Sequence, residues 1–575
     1  MSSLSAISPT TASSQPAVSV PPADSFVSSV SEVAAPTGVS AIAPSDAMVR
    51  APQNSESLEK VEPGFVYRMK QKFWANVVAY VFKSATIQRI EAPVNEKLPM
   101  IRFSDKFPGI DIPNIYTTDG VPAAEESKAK QYLFAMIRWL SSSFSLHADG
   151  LPQVSANHDA VIEEAFPAAY RELLPVPVVP PEISARPDDV LGTLALSGPF
   201  AGYIEKNDSK PNEYFIDMSS LEGVPVREGL SPLGCKAYFS YSPSQKRMNT
   251  THIEYQGRVV TPQSDDWEQV QKIALCSLST DMTMIRHLAN THLLVSGTFA
   301  GVTTNNLDAD HPIRRLLHPH YHLTLSTNNY KVPNLIMSDS SSLPNIFSYE
   351  RKEIYKVMND YAGSFDISRM DPKADAARRG MAGAIGVDGK PVEYPYLDNV
   401  SDMQNVIEDY VRSYIETYYD SDEAIAADPE IQNWFKDLEK YIPNGVSDYS
   451  GGLTREGVAK LSMVLIQTAA VEHENVGNIT WNYTTLPQYI PSVVPTDGSR
   501  PSVDAYQRYI NTSVLTFVPL NRLVDDHANL ALDPKGKACM DNFRADLGEL
   551  QKKMDAKPFS HGALYPEAME CSVST

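Results

Sequence analysis

Residues 265–325 read DDWEQVQKIALCSLSTDMTMIRHLANTHLLVSGTFAGVTTNNLDADHPIRRLLHPHYHLTL. From Trp267 onward the apolar spacing is helical. Two histidines, His287 and His292, sit five residues apart within that run, and His311, His318, His320 and His322 follow it closely. On a regular α-helix five residues turn through about 500°, leaving the two side chains roughly 140° apart. Both can face one metal ion only if the turn is widened, as a π-bulge widens it. Taken alone the spacing is a weak signal, because a helical metal pair normally sits at i and i+4.

The rest of the chain reads outward from this helix. Downstream, MQNVIEDYVRSYIETYY (403–419) and TREGVAKLSMVLIQTAAVEHENVG (454–477) carry the same helical period. The final residues, YPEAMECSVST, carry none. Upstream, 191–262 changes character: YFIDMSS, KAYFSYSP and HIEYQGRVVTP are short β-prone runs divided by turn residues, and predict a small sheet or hairpin. A proline-rich connector, PVPVVPPEISARP, covers 175–187, and helical spacing returns at 65–90 and 128–144. Residues 1–60 are rich in Ser, Pro, Ala and Val, with Phe26 the only aromatic and Arg50 the first basic residue. Such a segment lacks the apolar mass to offset its ordering entropy, so a disordered tail is expected there. It has neither the basic start of a secretory signal nor the arginines of a transit peptide. The fold expected is mainly α: one large helical domain over 61–575 with a small β subdomain, preceded by the tail over 1–60.

Bulk composition narrows the function. The net charge of -21 argues against nucleic acid, which needs clustered Lys and Arg, and against strong attachment to anionic membrane. No apolar run reaches the roughly 18 residues of a membrane span, so at most transient membrane contact is expected. Cys235, Cys276, Cys539 and Cys571 are scattered without a C-x-x-C pair, which suits thiols in a reducing cytoplasm.

Three stretches together resemble the lipoxygenase family. The first is the opening segment, where Trp and Lys precede H-x-x-x-x-H, and H-P-[IV]-x-x-L-L-x-P-H-[YF] follows at His311, Pro312, Ile313, Leu316, Leu317, Pro319, His320 and Tyr321. The second is YPYLDNVSDMQNVIEDYVRSYIETYYDSDEAIAADPEIQNWFKDL over 394–438. The third is GGLTREGVAKLSMVLIQTAAVEHENVG over 451–477, similar to the helix that carries the family's third histidine ligand. The likeness runs from about residue 190 to the C-terminus, and fainter from 65. No N-terminal lipid-binding β-barrel is evident, as in short microbial members.

The resemblance implies one non-haem iron per chain, with manganese as the alternative. Its ligands, carried over by position, are His287, His292, His473 and the main-chain carboxylate of Thr575; neutral imidazoles and a carboxylate suit either metal. The implied reaction joins O2 to a polyunsaturated fatty acid. A metal-held hydroxide takes hydrogen from a bis-allylic carbon, and no side-chain base is assigned. His311 to His322 mark the family without being ligands. A monomer is expected.

Three positions depart from the family pattern. Gly477 stands where the family has Asn, His or Ser, leaving neighbouring Asn478 as a possible fourth side-chain ligand. The chain ends in Thr where Ile or Val is usual, a mild change. STNNYKVPNLIM (326–337) replaces I-N-x-x-[AG]-R, which puts Lys331 at the small pocket position, Val332 at the Arg and Leu335 at an apolar pocket position. Pro333 is expected to disturb the local helix. A lysine beside an apolar channel is costly unless paired, so it signals either an unusual carboxylate-bearing substrate or a rebuilt loop. These departures keep two further readings open: a metal-dependent hydroperoxide isomerase or an oxygenase of a non-fatty-acid substrate, and a catalytically inactive scaffold that binds lipid or protein.

Overall fold

A computed structural model describes residues 89–126, 153–171, 174–337, 346–477, 481–513, 521–556 and 563–574, with isolated residues between 69 and 80. The tail expected over 1–60 and the helix expected over 128–144 lie outside the described residues; of the run 65–90, the residues described between 69 and 80 are helical.

Seven short strands are described. β1 (Met100–Arg102) pairs antiparallel with β2 (Tyr116–Thr118). β3 (Glu205–Lys206), β4 (Tyr214–Asp217), β5 (Lys236–Ser242), β6 (Arg247–Tyr255) and β7 (Arg258–Val260) form one antiparallel sheet in sequence order. Every second residue of β5 is buried, so Ala237, Phe239 and Tyr241 line one face. A bulge shifts the register between Tyr238, opposite His252, and Phe239, opposite Thr250. This is the small sheet that the 191–262 stretch predicts.

Helices make up the remainder, and their ends follow from sequence. Asp428, Asp533 and Asp371 each precede a proline, and each carboxylate accepts backbone N–H bonds of the turn it opens. Proline fits the first helical position because its missing N–H has no intrahelical partner there. The amphipathic helix Pro395–Tyr418 packs against Arg455–Ile466 on one side and Pro534–Asp555 on another. Trp434, fully buried, donates its indole N–H to Thr303 Oγ1 (3.0 Å) and so fastens Pro429–Tyr441 to the central helix.

That central helix has three parts: α-helical Trp267–Asp281, π-helical Met282–Gly297 and α-helical Thr298–Asn306. Most of its π segment is buried. A second helix runs beside it, α-helical over Arg455–Ile466, π-helical over Gln467–Glu472 and α-helical again over His473–Val476. A third, pocket-side helix comprises Thr324–Ser326 and the π segment Thr327–Ile336. Pro333 lies inside that segment, which is π-helical and not a regular α-helix, and the helical path continues past it. The chain's last described residues thread inward: Glu570 bridges Arg522, Cys571 N–H donates to Asn521 (3.0 Å), Ser572 Oγ donates to the His322 carbonyl (2.9 Å), and Thr327 Oγ1 donates to the Ser574 carbonyl (2.9 Å).

Candidate metal centre

The π-helical segment resolves the spacing problem of His287 and His292. Its i→i+5 hydrogen bonds return the chain to the same face about every five residues. Side chains follow the same rule: Thr291 Oγ1 donates to the Arg286 carbonyl and Thr298 Oγ1 to that of Leu293, each five residues back. The two imidazoles therefore face each other, with Nε2 atoms 3.2 Å apart. His473 arrives from the end of the second π segment. Ring centroids of the three histidines are 5.0, 5.1 and 5.2 Å apart, and one ligand nitrogen from each lies within 4.8 Å of the others.

The electrostatics leave these rings uncharged. Burial pushes the basicity of His287 and His292 well down, with further lowering from neighbouring histidines and the Lys331 ammonium. Burial likewise pushes His473 down to about 3. His473 is 3% exposed, and neither of its ring nitrogens makes a hydrogen bond among the described residues. A buried polar group without a partner costs about 1–3 kcal/mol. Three neutral imidazoles with converging lone pairs fit a divalent transition metal, which satisfies them at once. Two nitrogens at right angles on a metal, with bonds of about 2.1 Å, stand roughly 3 Å apart, close to the separation of His287 and His292.

The surroundings orient the rings. His292 Nδ1 donates to Asn328 Oδ1 (3.3 Å), and Asn328 Nδ2 donates to the His292 carbonyl (2.6 Å). That approach requires Gly297, where a Cβ would stand 2.6 Å from Asn328 Nδ2. A partly buried ion pair of 2.7 Å joins Arg286 Nη2 to Glu472 Oε1, each the residue immediately before a histidine of the cluster. Sequence reading missed both devices. For Asn328 a signal existed, since it falls on the Asn of I-N-x-x-[AG]-R; for Arg286 and Glu472, far apart in the chain, none did.

The remaining candidates divide. Lys331 is buried, and burial pulls its ammonium down to about 8 while the Glu570 carboxylate opposes that shift. Its charge acts on all three histidines. Gly477 faces the cluster: a Cβ there would lie 3.8 Å from His287 Cε1. Asn478, Thr575 and the side chain of Leu335 lie outside the described residues. The other histidines stand apart from the cluster. His311 caps the helix Pro312–Leu317 and meets Asp428 at 3.3 Å, His318 Nε2 donates to the Glu91 carbonyl (3.0 Å), and His320 Nδ1 donates to that of Cys571 (3.1 Å).

Comparison with known proteins agrees with this architecture. The lipoxygenase family model matches residues 240–513. Seed linoleate 9S-lipoxygenase-3 of Pisum sativum is 24% identical over 363 residues, 57% of this chain and 41% of that protein. Manganese lipoxygenase of Pleurotus sapidus is 27% identical over 274 residues, 45% of this chain and 40% of that protein. The chain thus spans about two-fifths of these relatives' length. Among solved structures, coral 8R-lipoxygenase superimposes with a TM-score of 0.70 at 15% identity, covering 90% of this chain and 82% of that one. A calcium-dependent 11R-lipoxygenase gives 0.67 at 20% identity, covering 80% and 77%. At such identities the structural likeness speaks for the fold.

Proposed function

Because the chain belongs to the lipoxygenase family, we propose that it is a non-haem metal dioxygenase that joins O2 to a polyunsaturated fatty acid, giving a lipid hydroperoxide. The observation that carries this reading is the convergence of three uncharged imidazoles, His292 and His473 buried and His287 partly so, with the Nε2 atoms of His287 and His292 3.2 Å apart. His287, His292 and His473 hold the metal, with the Thr575 carboxylate as its anionic donor. Iron fits this donor chemistry, and so does manganese. When bound, such a metal supplies the one-electron chemistry that opens a bis-allylic C–H bond to O2. The protein contributes the rest: Asn328 fixes the ring of His292, the Arg286–Glu472 pair ties the two histidine-bearing helices, and the buried site limits water. All three imidazoles come from one chain, so a monomer suffices for activity. Among the described residues no helix is long and apolar enough to cross a membrane, and all four cysteines are unpaired; we place the enzyme in the cytoplasm on the second ground.

Oxygen consumption by the metal-loaded chain with linoleate and arachidonate, together with metal analysis, tests the proposal. About one iron or manganese per chain and formation of conjugated hydroperoxide are expected. Bound metal without oxygen uptake on any fatty acid would overturn it.

A second reading has its own observation. Lys331 brings a buried cation to the cluster at a position where a small residue is usual, and Gly477 leaves a side-chain position bare. Both favour a substrate with a polar or anionic group close to the metal, such as a fatty-acid hydroperoxide, which the enzyme would isomerise. Turnover of hydroperoxides without oxygen uptake selects this alternative. An inactive scaffold would instead take up no metal.

A further inference from the structure

The cluster has a fourth charged neighbour that the family pattern does not assign. Glu570 is 2% exposed, and its Oε2 lies 3.4 Å from His473 Nδ1. Its backbone is held firmly. Glu570 forms an antiparallel bridge with Arg522, and the residues on either side bond to the same strand: Leu523 N–H donates to the Met569 carbonyl (2.9 Å) and Cys571 N–H to the Asn521 carbonyl (3.0 Å). The carboxylate is therefore delivered to His473 by a fixed backbone.

We infer that Glu570 is the positioning residue for His473: it accepts the Nδ1–H, which fixes the tautomer and leaves Nε2 for the metal. The inference rests on the metal reading above. A ligating imidazole commonly donates its other N–H to a carboxylate or carbonyl, and such a partner sets the ring orientation and raises the basicity of the ligand. His292 has its orienting group in the Asn328 amide, at 3.3 Å. His473 has no hydrogen bond from either nitrogen among the described residues, yet a carboxylate oxygen stands 3.4 Å from one of them, close enough in distance but not aligned. Poorly aligned contacts in an unliganded site often become hydrogen bonds once a bound group fixes the ring.

The two orienters differ in kind. The amide of Asn328 raises the basicity of His292, and a charged carboxylate accepting from Nδ1 of His473 raises that ring's basicity more than a neutral amide would. Lys331 works the other way. Its ammonium lies near enough to Glu570 and to all three rings for their charges to interact. It compensates the buried carboxylate, which would otherwise be costly, and it repels a bound cation. Glu570 and Lys331 together thus set how tightly the three imidazoles hold a metal.

The test is Co2+ binding to the full chain, by chelator competition and visible absorption, in the wild type, E570Q, K331M and K331M/E570Q. Loss of an orienting partner typically costs 10–100-fold in metal affinity. E570Q should bind Co2+ that much more weakly with an unchanged absorption spectrum, because the donor set is the same. K331M should bind it more tightly. The double variant, in which the buried charges are removed together, should fall below K331M by the same factor; that comparison stands even if E570Q alone fails to fold. Equal affinities of E570Q and wild type, or of the double variant and K331M, overturn the inference. A changed spectrum in E570Q overturns it too, because the carboxylate would then be a ligand. If the wild type takes up no Co2+, the metal reading itself falls first.

Discussion

His473 sits in the core with two ring nitrogens that find no hydrogen bond among the described residues, and nothing in ordinary packing favours that arrangement. A structural imidazole would resemble His320, whose Nδ1 donates to a backbone carbonyl at 3.1 Å. The contrast separates a ligand from a core histidine at the level of one side chain. For His473→Leu, a swap of similar volume, the lost polar group had no bond to lose, so its removal offsets much of the packing change. Metal content should fall below about a tenth of the wild-type value, while urea unfolding of the metal-free chain should stay within about 1 kcal/mol. A loss of several kcal/mol in the metal-free variant would mean that the imidazole serves the core instead. Lys331 is the other residue whose meaning lies in its surroundings: in sequence it is an anomaly at a small-residue position, and in the fold it has a carboxylate, Glu570, to answer it.

Among elements, the π segments carry the site. The 16 residues of Met282–Gly297 carry His287 and His292, the six of Gln467–Glu472 lead directly into His473, and the Arg286–Glu472 pair joins the two helices one residue before His287 and His473. Neutralising one partner leaves the other charge uncompensated, at a cost of about 3–5 kcal/mol in a fully buried pair and toward the lower end of that range here, where the side chains are 18% and 12% exposed. Glu472→Gln should lose stability of that order in urea unfolding and weaken metal binding as well; an unchanged midpoint would show that Arg286 is satisfied without it. The elements also divide by legibility. Alternation in KAYFSYSP is a local signal and appears in the fold where the sequence puts it; the Asp-Pro helix starts are local signals as well, visible once the helices are known. The length of the π segments is not local, because their 3.6-residue apolar spacing looks like that of any buried helix. Pro333 removes one N–H from its segment, and the sequence does not show that the chain continues past it as a π segment instead of stopping. Glu570 was hidden because its neighbour His473 is nearly a hundred residues away, and only the path of the tail brings them together.

Over the whole molecule, the tail is closed onto the core by contacts with the segment that follows the central helix. His320 Nδ1 donates to the carbonyl of Cys571, and Ser572 Oγ donates to that of His322. This closure has a pH dependence opposite to that expected from bulk charge. With a net charge of -21, mild acid should relieve self-repulsion and stabilise the fold. Burial, however, pushes both His318 and His320 down to about 3, against an ordinary value of 6.5. Between those limits the unfolded chain binds more protons than the native one, so stability from these groups is complete above pH 6.5 and is lost progressively as pH falls toward 3. Two pH units below the ordinary value, each such imidazole costs roughly 2–3 kcal/mol. Those local terms are large enough to outweigh the diffuse relief of charge, so the urea midpoint should fall between pH 7 and 4.5. Asn places an amide N–H where the imidazole Nδ1–H was and does not titrate. His320→Asn should therefore keep the bond to Cys571 while losing less stability across that interval, by about 2 kcal/mol. The cluster histidines titrate alike in both chains, so the difference between their pH slopes belongs to His320. Parallel slopes would place the acid sensitivity elsewhere and remove His320 as the titrating latch of the tail.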